Sequence, residues 1–184
     1  MTRVGFGFDV HPFADRRKLV LGGVEVAHPR GLAGHSDADV LSHAVADALL
    51  GAAGEGDLGQ HFPASEPRWK GCSSLVFLEA IREILNRGGF RIVNVDCTVV
   101  AERPKVLPYV GAIRESLGRT LGIEAARIGV KGKTCEGLGA IGREEGMAAY
   151  AVALLEARKE PIGGGGQLRK APRKGRVSTG ARRT

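Results

Sequence analysis

Asp9-Val10-His11 closes an apolar opening run, and His43 lies within a later segment of small residues. On a strand, residues two apart point to one face, so Asp9 and His11 share a side. A histidine from a neighbouring helix can meet them there. One carboxylate and two imidazoles leave the fourth tetrahedral position of zinc, or of another divalent transition metal, open to a reactant. Such an open position belongs to catalytic rather than structural sites. Alone, Asp-x-His is more often a solvated strand end, and His43 is what shifts the balance.

The segment Gly34-His35-Ser36-Asp37-Ala38-Asp39 predicts a helix starting at Ser36, with Asp37 and Asp39 in its first turn, where acids suit the dipole. His35 and Ser36 then stand at a helix N-terminus, a favourable place for phosphate. His43 falls in the apolar stripe of Val40, Leu41, Ala44, Val45, Ala48, Leu49 and Ala52. Asp39 and Asp47, four residues to either side of it, lie within reach to orient its ring.

These side chains need a scaffold. Residues 2–9 read as a buried strand, and 19–26 as a hairpin about Gly22-Gly23. After the first helix, 57–72 reads as an irregular loop. Ser73 or Ser74 caps a second helix to about Arg87, and the alternation from Phe90 to Ala101 is a strand. Glu102 to Lys105 is a turn, and Pro108 opens a third helix ending near Gly122 as an N1 proline. Arg127 to Lys133 is a strand, and the Ala/Leu-rich Met147 to Lys159 reads as a final helix. This order predicts an α/β (α+β) fold: one mixed sheet with helices packed on one face, in a ferredoxin-like βαβ arrangement. No helix remains for the other face, so the chain is expected to associate through it.

Composition fits one domain at residues 1–160. Aromatics are 5% of the chain against 43% hydrophobic residues, so the core is aliphatic and small. The net charge of +7 resides in residues 161–184, which hold seven Lys and Arg and no acid. This Gly-rich basic segment reads as a disordered tail. It lacks aromatic residues for stacking, so specific nucleic-acid binding is not expected. Cys72, Cys97 and Cys135 are too dispersed for a disulfide framework or a cysteine zinc cluster, which fits the cytoplasm. No membrane span or signal peptide is read. Met1 leads straight into the first strand, so no upstream domain is expected.

Gly7-Phe8-Asp9-Val10-His11, His35-Ser36-Asp37-Ala38-Asp39, His43, Asp57-Leu58-Gly59 and Phe62-Pro63 follow one another in order. Ala101-Glu102-Arg103-Pro104-Lys105-Val106-Leu107 and Lys133-Thr134-Cys135-Glu136 come later. From about residue 2 to 158 this series resembles the 2-C-methyl-D-erythritol 2,4-cyclodiphosphate synthase family of the non-mevalonate isoprenoid pathway.

The resemblance implies a cytoplasmic homotrimer, packed on its sheet faces, with sites between subunits. It implies zinc on Asp9, His11 and His43, and Mg²⁺ or Mn²⁺ held by Glu136 and substrate phosphates. The substrate would be a cytidine diphosphate ester of methylerythritol 2-phosphate. Its 2-phosphate attacks the β-phosphate and CMP leaves, so the enzyme would be a phosphorus–oxygen lyase. His35 and Thr134 match the family's transition-state stabilisers, and Ser36 would help bind the attacking phosphate. Asp57, Leu58 and Gly59, with Phe62, Pro63, Ala64, Ser65 and Glu66, would line the methylerythritol side. Ala101 to Leu107 would hold cytosine and ribose. Lys133, Cys135, Ala140 and Arg143 complete the implied binding set.

Some positions depart from the family. Ala64 replaces a usual acid, Lys133 and Cys135 flank Thr134 where small hydroxyl residues are common, Ala140 replaces Phe, and Glu144 replaces Gly. The family's central trimer cavity, which can hold an isoprenoid diphosphate, is therefore expected to differ here. Two alternatives compete: another zinc-dependent phosphoryl-transfer or phosphodiester-cleaving enzyme, and a nucleic-acid binder acting through the tail. The first would release a linear product. The second would bind weakly and salt-sensitively.

Overall fold

Strand β1, Thr2–Ala14, outruns its expected end and is buried on one face only. Gly5 and Gly7 are buried, whereas Val4, Phe6, Phe8 and Val10 point outward and are exposed. The computed structural model describes residues 1–158. The basic segment 161–184 lies outside the described residues.

The expected hairpin forms from β2 (Leu19–Leu21) and β3 (Val24–Val26). Gly22 and Gly23 connect them with φ of +58° and +75°. Two successive positive φ values suit a tight hairpin turn and are cheapest for glycine. The short strand β4, Gly31–Leu32, pairs with the end of β1.

Helix α1 spans Val40–Ala53 and ends at left-handed Gly54. It begins four residues later than the sequence suggests. Asp39 is its N-cap, accepting from the Ser42 N–H at 3.0 Å, and Ala38 before it has φ +58°. A positive φ cannot continue a right-handed helix, so His35, Ser36 and Asp37 form a loop.

The 57–72 segment is less irregular than expected. It holds a four-residue helix, α2 (Leu58–His61), capped by Asp57, and a 3₁₀ turn at Pro67–Trp69. Helix α3, Ser74–Arg87, is capped by Ser73 and precedes strand β5, Phe90–Val100. Pro108 sits in a 3₁₀ turn, Leu107–Tyr109, leading into α4 (Val110–Leu121). Strand β6 is Ile128–Lys133, and a four-residue α5 is Gly139–Gly142.

The expected last helix is instead strand β7, Gly146–Ala157, at the centre of a five-stranded sheet ordered β4-β1-β7-β5-β6. Ala, Leu, Met and Glu all favour helices locally. Position overrides that preference, because β7 pairs antiparallel with both β1 and β5. Its side chains also alternate: Met147, Ala149, Ala151, Ala153 and Leu155 are buried, while Tyr150 and Val152 are exposed. Among the described residues only β5 and β6 run parallel.

α1, α3 and α4 cover one face, packing a core that includes Leu41, Leu49, Leu78, Ile81, Ile113 and Leu117. The buried alanines of β7 and the glycines of β1 let α1 settle close to the sheet. The opposite face shows Val4, Phe6, Phe8, Val10, Tyr150 and Val152, all between 41% and 65% exposed. Among the described residues no helix is long and apolar enough to cross a membrane.

Candidate active site

Asp9 and His11 project from the helix-facing side of β1, and His43 reaches them from the start of α1. Asp9 Oδ2 lies 2.9 Å from His11 Nε2 and 2.9 Å from His43 Nδ1. The two ring nitrogens are 3.2 Å apart. A tetrahedral zinc ion with ligand bonds of roughly 2.0–2.1 Å sets its ligand atoms roughly 3.3 Å apart. The three residues therefore fit such an ion without rebuilding, and they form a cluster able to hold a metal. Burial works against ionising Asp9, but hydrogen bonds and charge from His11 and His43 outweigh it and hold the carboxyl well below its usual range. Burial opposes a charge on His11, but the hydrogen bond and charge of Asp9, with the Ala33 backbone, together outweigh it and raise the His11 pKa. The carboxylate is thus ready to ligate, and a proton competes with the metal for His11.

The partners expected to orient His43 lie elsewhere. Asp39 is fully buried and accepts from the Gly22 and Gly23 N–H groups at 2.9 and 2.7 Å, fastening the hairpin to α1. Asp47 accepts from the Leu58 N–H at 2.8 Å and positions α2. His43 Nε2 instead faces Ser74 Oγ at 2.9 Å and Ser36 Oγ at 3.2 Å. Ser74 is a residue that sequence reasoning missed. The signal was present, since two serines stand where one helix needs one cap.

The 35–37 loop is not helical, so His35 and Ser36 are not the first turn of α1. Side chains and backbone hold that loop instead. Arg17 donates to the Gly34 and Ser36 carbonyls at 2.8 and 2.5 Å. The Gly71 N–H donates to the His35 carbonyl at 2.8 Å, and the Asp37 N–H to the Cys72 carbonyl at 2.9 Å. His35 Nε2 lies 3.3 Å from the Glu66 carbonyl, joining this loop to the 62–66 stretch. Phe62 stacks on Phe77 with ring centroids 4.7 Å apart.

A second group forms beyond β5 and β6. Ala101, the residues from Pro104 to Leu107 and those from Gly132 to Thr134 line one cavity of about 450 Å³, and Glu102 and Arg103 line a neighbouring one. Glu102 Oε1 accepts from the Cys135 and Gly137 N–H groups at 2.8 and 3.2 Å, tying the two segments together. Thr134 Oγ1 donates to the Glu136 carboxylate, and Glu136 has φ +52°. Arg143 pairs with Glu145 at 2.7 Å, and Ala140 lies within α5.

Within one chain these two groups stay apart. His11 aligns with Met147 on β7, and Val100 with both Ala148 and Lys133, so the Thr134 end lies three strand spacings from β1. At about 4.8 Å per spacing the separation is about 14 Å.

A five-stranded mixed sheet with helices on one face, a separate hairpin and an Asp-His-His triad able to hold a metal define the class, an α/β domain with a candidate metal centre. The YgbB family model matches residues 2–156, and the chain belongs to that family. It is 56% identical over 153 residues to the 2-C-methyl-D-erythritol 2,4-cyclodiphosphate synthase of Syntrophobacter fumaroxidans, covering 83% of this chain and 96% of that one. It also matches the structure of IspF from Plasmodium falciparum in complex with CDP, with 33% identity and TM-score 0.76 over 86% of this chain and 97% of that one. The bifunctional IspDF of Campylobacter jejuni gives 39% identity and TM-score 0.79 over 85% of this chain, which spans 42% of that longer protein.

Proposed function

We propose that this chain converts 4-diphosphocytidyl-2-C-methyl-D-erythritol 2-phosphate to 2-C-methyl-D-erythritol 2,4-cyclodiphosphate, releasing CMP. The observation that carries this reading is the Asp9–His11–His43 triangle, set in a chain 56% identical to an enzyme of that name. An oxygen of the 2-phosphate bonds to the β-phosphorus, and the β-phosphorus–oxygen bond to the CMP phosphate breaks. No water is consumed. Two anions must meet, so the protein's work is positioning and charge neutralisation.

Asp9, His11 and His43 hold the zinc, or another divalent transition metal. When bound, it acts as a Lewis acid on phosphate oxygens. Glu136 anchors Mg²⁺ or Mn²⁺ together with substrate phosphates, and one protein carboxylate suffices for such an ion. Ser36 binds the attacking phosphate, and His35 and Thr134 stabilise charge as it builds. Asp57 to Gly59 and Phe62 to Glu66 face the methylerythritol. The cavity between Ala101–Leu107 and Thr134 takes the cytidine, as a CDP complex of a relative supports.

A second copy completes the site. The triad and the Thr134–Glu136 turn are too far apart within one chain to share a diphosphate, while an apolar sheet face is left exposed beside the triad. A trimer packed on those faces brings the triad of one copy to the cytidine cavity of the next.

Incubating the purified chain with substrate and Mg²⁺, and following products by phosphorus NMR, tests the reaction. The expected result is CMP and cyclic diphosphate in equal amounts, and a linear hydrolysis product overturns it. His43→Ala is expected to lose zinc and most activity together. Full zinc occupancy in that variant removes His43 from the ligand set.

A further inference from the structure

We infer that Ser74 and Asp37 form a positioning relay that fixes which ring nitrogen of His43 is presented to the metal. The inference rests on the metal reading of the Asp9–His11–His43 site. Ser74 is 1% exposed, and its hydroxyl lies 2.5 Å from Asp37 Oδ1 and 2.9 Å from His43 Nε2, with Ser36 Oγ farther off at 3.4 Å. A serine hydroxyl has one proton to give and an ionised carboxylate has none. Ser74 therefore donates to Asp37, and its oxygen accepts from His43 Nε2–H. With a metal between His43 and Asp9, a neutral imidazole protonated at Nε2 offers it the lone pair of Nδ1, the nitrogen that without metal lies in hydrogen-bond reach of Asp9 Oδ2 at 2.9 Å.

The relay's two ends are themselves anchored. Asp37 Oδ2 accepts from the Ser74 N–H at 3.0 Å, so its carboxylate grips the first residue of α3 by backbone and side chain together. The Asp37 N–H in turn donates to the Cys72 carbonyl at 2.9 Å. Ser36 Oγ, 3.2 Å from His43 Nε2, accepts from the Ala38 N–H at 3.2 Å and so supports the same loop. His43 thus comes from α1 while its orientation is set from the start of α3. A group that orients a ligand histidine typically contributes about 10–100-fold in metal affinity.

The test measures zinc dissociation constants of the full chain by chelator competition. Ser74→Ala and Asp37→Asn are each expected to weaken zinc about 10–100-fold. Ser74→Thr, which keeps the hydroxyl, should restore the affinity to within about threefold. Because Asp37 acts through Ser74, the double variant should bind no worse than Ser74→Ala alone. A nitrogen-15 spectrum of the zinc-loaded wild-type chain gives a readout independent of any variant's folding: His43 should carry its proton on Nε2. Wild-type zinc affinity in Ser74→Ala, additive losses in the double variant, or a proton on Nδ1 overturns the relay and leaves the metal site standing. A wild-type chain that binds no zinc overturns the site reading itself.

Discussion

Gly7 lies directly beneath Ala44: a Cβ on Gly7 would stand 2.0 Å from the Ala44 carbonyl oxygen. Gly5 has the same relation to Ala48 one helical turn along. The α1 backbone therefore rests on the β1 backbone, and this closeness lets two short ligands on β1 meet His43. Gly7→Ala pushes on backbone that has no rotamer to relax into. It is expected to cost about 1–3 kcal/mol, the usual range for overpacking, and to weaken zinc as α1 lifts. Thermal melting and chelator competition check this. A variant that melts like the wild type and binds zinc as tightly would show that α1 does not need this contact.

Burial, aided by the neighbouring Asp96 charge, pushes the Cys97 thiol up to about 12 from an ordinary value of 9.0. The folded chain thus keeps this proton to higher pH than the unfolded chain. The stability it contributes is complete below pH 9 and is lost as pH rises toward 12. Cys97→Ala removes that dependence while leaving a small cavity. The variant should be about 1 kcal/mol less stable than wild type at pH 7. By pH 10.5 the difference should move about 2 kcal/mol in its favour, at about 1.4 kcal/mol per pH unit. Urea unfolding of both chains across that range decides. A difference that does not change with pH contradicts the shift.

Most of the scaffold was legible because its signals are local. Gly22-Gly23 must turn, Gly54 and Gly122 must end helices, and the β5 alternation can only be a strand. The triad was legible because Asp9 and His11 obey strand period and His43 sits on the face α1 buries. β7 was misread because Ala, Leu and Met weigh toward helix, while its identity depends on β1 and β5 lying on either side. The period-two exposure of Tyr150 and Val152 was the available clue. The relay to His43 was missed for a different reason. Residues four apart on α1 look like neighbours, but Asp39 turns toward the Gly22-Gly23 hairpin, and Ser74 arrives from 31 residues away. Helical spacing cannot report a contact made between elements.

Glu144 has φ +59°, in the left-handed region that favours Gly. A side chain there costs about 1–2 kcal/mol. The Glu144 carboxylate faces the exposed Arg103 at 3.4 Å, and such surface pairs contribute about 0–1 kcal/mol. The strain outweighs the pair, so Glu144→Gly is expected to raise the melting temperature by about 2–3 °C. A fall of similar size would show that the Arg103 pairing, or the Glu144 side chain's packing, outweighs the backbone strain.

The exposed face of β1 and β7 carries the last prediction. Phe6 is 63% exposed and Phe8 lies 5.0 Å from Tyr150 between ring centroids, forming an aromatic patch on the uncovered side of the sheet. Large exposed apolar patches mark interfaces. In a trimer built on this face Phe6 is buried, and Phe6→Asp places a charge where water has been excluded. The residue points away from α1, so the triad's own geometry is untouched. Light scattering should show the wild type at three chain masses and Phe6→Asp at one. Because the triad and the Thr134 turn of a single chain lie about 14 Å apart, the separated chains should keep zinc but lose about a hundredfold or more in turnover, as expected when reacting groups are no longer held together. A Phe6→Asp chain that stays trimeric would place the interface elsewhere. A monomeric chain with full turnover would show that one copy holds a complete site.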